Sequence, residues 1–230
     1  MRKRAFMDKK EYYAHTDPAR PGELPEEGAN WHLLKKHLED TAQLAREFTN
    51  AFGAGDWGHL AGLWHDAGKY SDEFQTMLRN SCDAHIEQKS KIDHSTYGAQ
   101  QVNQKWPRGE GKTLAYVIAG HHTGIPDGKS NDASCLYKRV EKPLSYHFAC
   151  PESLFEQSKP NFPFALDKKR LCFELKFFIR MLFSCLVDAD FLDTEKHFQK
   201  IGGYKQLWML KSYLDELEKE QTLTKKRRVG

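Results

Sequence analysis

Apolar residues recur every three or four positions through most of the chain, which is the period of an amphipathic helix. Within "WHLLKKHLEDTAQLAREF" the expected buried face consists of Leu34, His37, Leu38, Thr41, Leu44, Ala45 and Phe48. His37 is therefore expected to lie in the interior. No segment alternates convincingly between apolar and polar residues with a period of two, so no strand is predicted.

Four other segments show the same helical period. Helices are predicted at about residues 57–67, ending at Gly68, and at residues 113–122, followed by Gly124 and Pro126. Two more are predicted in "RLCFELKFFIRMLFSCLVDADFLDTE" and in "QLWMLKSYLDELEKE". The patterns together predict an all-α fold.

Composition narrows the class of protein without indicating a partner. The chain has 230 residues, enough for one domain, and a formal net charge of +3, which gives no strong argument for nucleic acid or membrane. Its five cysteines include no CxxC pair, as is typical of reduced thiols in a cytoplasmic protein. We predict one domain over residues 1–222, a basic tail over residues 223–230 and no membrane span.

Residues 125–167 differ from the rest because they are rich in Pro, Ser, Asn and Lys. They are predicted to form irregular loops with a short helix near residues 135–140. The basic residues of this segment are Lys129, Lys138, Arg139, Lys142 and Lys159. They suggest one wall of a channel for a polyanionic strand, and an ordinary solvated loop is the alternative.

Several histidines and aspartates fall on the predicted inward faces or at helix ends. The candidates for a metal site are His37, His65, Asp66, His94, His121, His122 and one aspartate of "LVDADFLDTE". A single histidine on an apolar face is more often a hydrogen-bonded core residue. Burying so many ionisable groups in one domain is costly unless bound cations compensate them, which favours a metal site.

The choice between Asp188 and Asp190 depends on the helix face. At about 100° per residue, the side of Asp190 also holds Leu186, Phe183, Leu182, Ile179, Leu175 and Cys172, all apolar. The side of Asp188 is mixed and includes Glu174 and Arg170. Asp190 is therefore predicted to point inward.

These residues resemble the HD phosphohydrolase superfamily, in the order H…HD…H…HH…D. The fuller set resembles the HD nuclease domain of the nuclease-helicase of CRISPR type I interference, either as a stand-alone subunit or as a fragment. The matching phrases are "YYAHT", "WHLLKKHLEDTAQLA", "GLWHDAGKYSDEFQ", "DHSTYGA", "IAGHHTGIPD" and "LFSCLVDADFLDTE". The resemblance implies a helical bundle with a metal site between core helices.

The resemblance also implies roles for individual residues. One divalent ion would be held by His37, His65, Asp66 and Asp190, and a second by Asp66, His94, His121 and His122. His65, Asp66 and Lys69 are the expected catalytic residues, with the Lys69 ammonium stabilising charge on a phosphate. A solvated helix end is the alternative for Lys69. His15 and Thr16 are expected behind the ligands.

The implied activity is that of a metal-dependent endonuclease that degrades single-stranded DNA in antiviral defence, using a water activated by two ions. A histidine-rich ligand set favours Mn, Fe, Co or Ni over Mg. The implied partners are the crRNA-guided surveillance complex and a helicase domain or subunit. A phosphohydrolase acting on nucleotides or cyclic dinucleotides, and a helical adaptor without catalysis, are the alternatives.

Overall fold

The computed structural model describes residues 10–80 and 92–200. Its helices are α1 (Leu34–Asn50), α2 (Gly55–Trp64), α3 (Asp72–Arg79), α4 (Ser95–Lys105), α5 (Glu110–Gly120), α6 (Leu136–Glu141) and α7 (Leu171–Lys200). Short 3-10 helices cover Pro25–Glu27, Ala67–Tyr70 and Glu152–Phe155. The predicted helical fold is confirmed. The predicted helix at residues 206–220 and the basic tail at 223–230 lie outside the described residues.

Helices α1 and α2 pack so closely that a side chain has no room at Gly62. A Cβ atom added there would lie 2.5 Å from the Cα atom of Ala42 on α1. The close approach brings the rings of His37 and His65 to a centroid distance of 5.1 Å. Two residues from distant parts of the chain thus meet because a glycine faces an alanine.

The predicted second helix is shorter than expected. α2 ends at Trp64, and the 3-10 helix Ala67–Tyr70 follows, so His65 and Asp66 occupy the turn between them. A Cβ atom at Gly68 would lie 2.0 Å from the carbonyl oxygen of His94. This contact sets the turn directly against the start of α4.

The absence of strands was a wrong prediction. β1 (Tyr13–His15) and β2 (His32–Leu33) form an antiparallel pair in which His15 is opposite His32. Both strands are shorter than the roughly four residues over which alternation becomes recognisable. The Gln75 side chain binds both backbone groups of Tyr13, at 3.0 and 2.9 Å, and so covers the free edge of β1.

Helix α7 lies against α1, α2 and α5 through a buried stripe of Phe178, Leu182, Leu186, Ala189 and Asp193. Cys172, which was predicted to face inward, is exposed, because the first turn of α7 extends beyond the core. On α1, Ala42 and Thr49 are buried, whereas Leu44 and Phe48 are only partly covered. No helix of the described residues is long and apolar enough to cross a membrane.

Candidate metal centre

Asp66 lies at the centre of the histidine cluster, and its carboxylate oxygens face different neighbours. Its Oδ2 atom is 3.4 Å from Nε2 of His37 and 3.4 Å from Nε2 of His65. Asp190 approaches the same two nitrogens, with Oδ1 at 3.3 Å from His37 and 3.6 Å from His65. These four residues form one group of converging donors.

The other oxygen of Asp66 faces the remaining three histidines. Oδ1 is 3.1 Å from Nε2 of His121, 3.5 Å from His94 and 3.9 Å from His122. The Nε2 atoms of His94 and His122 are only 2.8 Å apart. Two nitrogen lone pairs at this distance repel each other, so a proton or a cation must lie between them.

Backbone carbonyl groups fix the orientation of two rings. Nδ1 of His65 donates to the carbonyl of Gly62, and Nδ1 of His121 donates to the carbonyl of Ile118, each at 2.7 Å. A carbonyl only accepts, so Nδ1 carries the hydrogen and Nε2 of the neutral ring keeps its lone pair. Both lone pairs are thereby directed towards Asp66.

Two of the converging nitrogens face carboxylates without forming a hydrogen bond to them. Nε2 of His37 and Nε2 of His65 are buried without a hydrogen bond among the described residues. Buried polar atoms rarely remain in this condition. Neutral imidazole nitrogens facing carboxylate oxygens are ligands that divalent transition metals prefer, so this set of residues fits bound metal ions.

The charges of the centre favour a cation. Burial would raise the pKa of Asp66, but the Lys69 ammonium and the His65 ring outweigh it and hold this pKa well below its usual range. Burial would lower the pKa of His65, but Asp66 and Asp190 outweigh it and raise this pKa to about 9. The carboxylates are thus ionised, and the positive charge that they attract is carried either by a proton on Nε2 of His65 or by a metal ion that takes the place of this proton.

Lys69 is fully buried, with no exposed surface, so it is not a solvated helix end. Its Nζ atom is 2.9 Å from Oδ2 of Asp66 and donates to the carbonyl of Ala14 on β1 at 3.2 Å. This position gives Lys69 an electrostatic effect on Asp66. That its ammonium also stabilises charge on a phosphate stays a prediction.

The ligand candidates differ in how far they are exposed to solvent. The His37 and His65 side chains are 0% exposed and Asp66 is 1% exposed, whereas His122 is 37% and Asp190 is 18% exposed. Within the described residues, the centre is thus exposed between the end of α5 and the part of α7 that carries Asp190.

A second layer of residues lies behind His37, and sequence reasoning identified only part of it. The ring of His15 is 5.0 Å from that of His37, and its Nε2 atom is 3.2 Å from Oγ1 of Thr194. Thr16 is buried next to it along the chain. His32 and Asp193 were missed, although Asp193 follows Asp190 by three residues and therefore shares its side of α7.

Arg139 was expected to line a DNA channel, and its position contradicts this. Its guanidinium donates to Oγ1 of Thr96 at 2.9 Å, to Oγ of Ser95 at 2.8 Å and to Asp93 at 3.2 Å, and also to the carbonyl of Ala119. The side chain is 11% exposed. It connects the start of α4, beside His94, with the end of α5, beside His121.

Replacing Arg139 by glutamine is expected to lower the free energy of unfolding by about 2–4 kcal/mol, because several largely buried acceptors lose a charged donor. Urea denaturation of the metal-free protein measures this. Lys138→Gln, at an exposed neighbouring position, serves as the control and should change the value by less than about 0.5 kcal/mol. Equal stabilities of the two variants would contradict this role of Arg139.

Comparison with known proteins agrees with this geometry. The family model described as "Cas3, HD domain" matches residues 22–171, and no match was found among curated proteins. The matched residues include six of the seven candidate ligands, and Asp190 lies beyond them. HD domains bind divalent metals, and the HD domain of Cas3 implies a metal-dependent nuclease in CRISPR. This chain therefore belongs to the Cas3 HD-domain family.

Proposed function

We propose that the protein hydrolyses phosphodiester bonds of single-stranded DNA in CRISPR type I interference, with two divalent metal ions bound on opposite sides of Asp66. The division of the Asp66 carboxylate between two sets of histidines is the observation that carries the proposal. A carboxylate with only a structural role needs one set of hydrogen-bonding partners, whereas a carboxylate that bridges two metal ions needs ligands for an ion beside each of its oxygens.

The two metal positions have different ligand sets. The Oδ2 side would use His37, His65, Asp66 and Asp190, and the Oδ1 side would use Asp66, His94, His121 and His122. The predominance of imidazole favours Mn, Fe, Co or Ni over Mg, which prefers oxygen ligands. When bound, the ions would supply positive charge beside the phosphate and lower the pKa of the attacking water.

The residues of the chain have their own parts in this mechanism. Asp66 would fix the positions of the two ligand sets relative to each other. Lys69 would keep Asp66 ionised through the 2.9 Å ion pair. The carbonyl groups of Gly62 and Ile118 would keep the Nε2 atoms of His65 and His121 oriented towards Asp66 and the proposed metal ions. No side chain has to act as a nucleophile.

The limited access supports a single strand as the substrate. A duplex would not easily reach residues at the meeting point of helices, whereas one strand could bring a phosphate to the side of His122 and Asp190. Phe191, next to Asp190, is 57% exposed and offers a ring on which a base could stack. A crRNA-guided surveillance complex and a helicase domain or subunit would supply such a strand.

Cleavage of a closed circular single-stranded DNA tests the proposal directly. We expect cutting with Mn, Co or Ni, weaker cutting with Mg, and no cutting with chelator or with the Asp66→Ala variant. A circle has no ends, so its cleavage would establish endonuclease action. Nucleotides and cyclic dinucleotides are assayed in parallel, and hydrolysis of these alone would contradict the proposal in favour of a phosphohydrolase.

A further inference from the structure

Both ring nitrogens of His37 meet carboxylates from one turn of α7. Nε2 is 3.3 Å from Oδ1 of Asp190, and Nδ1 is 2.7 Å from Oδ2 of Asp193. Asp190 and Asp193 are three residues apart and therefore lie on the same side of the helix. The first faces the cluster of proposed ligands, and the second faces the interior behind it.

Asp193 is buried and has no part in the proposed ligand sets. It is 2% exposed, and its Oδ2 atom is also 3.5 Å from Nε2 of His32. His32 is held in place by face-to-face stacking on His197, with a centroid distance of 4.1 Å and an interplanar angle of 2°. A buried carboxylate is costly unless it has partners, and here its nearest partner is a proposed metal ligand.

We infer that Asp193 is a positioning residue that accepts a hydrogen bond from Nδ1–H of His37 and so directs the Nε2 lone pair of this ring towards the metal. The inference rests on the proposed metal centre and adds to it. A carboxylate behind a histidine ligand fixes the ring orientation and makes the ligand nitrogen more basic, and losing it typically costs about 10–100-fold in metal affinity or activity.

A third metal ion is the competing explanation for this cluster. Ligand atoms of His15, His32 and His37 all lie within 4.8 Å of one another. However, an ion bound by Nδ1 of His37 would have to displace its 2.7 Å contact with Asp193. The short contact therefore favours a hydrogen bond.

The test measures metal affinity without DNA. In a background of His94→Ala and His122→Ala, which disables the Oδ1 side, the protein is titrated with Co(II), followed by visible absorption and chelator competition. Asp193→Ala is expected to weaken binding about 10–100-fold. Asp193→Asn, which retains an oxygen acceptor, should weaken it less. Asp188→Ala, an exposed position on the same helix, is the control and should match the background protein.

The outcomes separate this inference from the proposed function. Unchanged Co(II) affinity in Asp193→Ala, or binding of three ions by the wild-type protein, would overturn the role of Asp193. If Asp193→Ala does not fold, the test rests on Asp193→Asn, whose side chain has nearly the wild-type volume. A Co(II) affinity and a Co(II) spectrum that both match the background protein would then overturn the inference. Failure of the wild-type protein to cut DNA would refute the nuclease while leaving a measured Asp193 effect in place.

Discussion

Replacing Asp66 by alanine is expected to lower the rate of DNA cleavage by at least about 10³-fold. The metal content should also fall strongly while the protein remains helical. The carboxylate faces both sets of histidines, so neither proposed ion keeps a complete ligand set without it. Elemental analysis of the purified protein, together with the circular DNA assay, measures both effects. Full metal occupancy with intact activity would refute the assignment.

The control for Asp66→Ala concerns folding. The substitution leaves the fully buried Lys69 ammonium without its carboxylate, and an uncompensated buried charge costs about 3–5 kcal/mol. The double variant Asp66→Ala/Lys69→Met removes both charges and should regain much of the lost stability without regaining metal or activity. Recovery of cleavage in the double variant would show that Asp66 acts only through Lys69.

Asp190→Asn is expected to lower cleavage by about 10²–10³-fold, whereas Asp188→Asn should stay within about twofold of the wild-type rate. Asp190 faces the Nε2 atoms of His37 and His65, and Asp188 is exposed on another side of α7. Asparagine keeps the shape of each side chain and removes its charge. The two variants therefore differ in the position of the lost charge and in little else.

Rates on single-stranded DNA at saturating metal, with thermal unfolding measured in parallel, provide the comparison. A larger loss in Asp188→Asn than in Asp190→Asn would contradict the assignment of Asp190. Equal losses, accompanied by equal losses of stability, would mean that α7 contributes packing and no metal ligand.

Helical periodicity predicted which residues face the interior more successfully than it predicted their partners. It placed His37 in the core and distinguished Asp190 from Asp188, because both questions concern only the side of one helix. Periodicity could not predict Arg139, whose hydrogen-bond partners lie between 20 and 46 residues away in the chain. A cluster of basic residues in the sequence has the same appearance whether its side chains contact a ligand or hydrogen-bond within the protein.

The residues that sequence reasoning missed have a common physical cause. β1 and β2 are too short to show a pattern, yet their pairing places His32, which was missed, opposite the predicted His15 and behind the centre. Lys69 was predicted as a site residue, but its complete burial was not, because that burial depends on contacts with Asp66 and with β1. Such residues depend on tertiary contacts that local patterns do not contain.

The residues behind His37, which are His15, His32 and Asp193, limit how far this domain can be shortened. The family match spans residues 22–171, whereas β1 precedes this span and Asp190 and Asp193 follow it. A polypeptide trimmed to the matched residues would remove Asp190 and Asp193 from His37, which would keep only its contact with Asp66, and would leave Lys69 without its β1 carbonyl. The matched span is therefore smaller than the part of the chain that assembles the centre, which extends from β1 through α7.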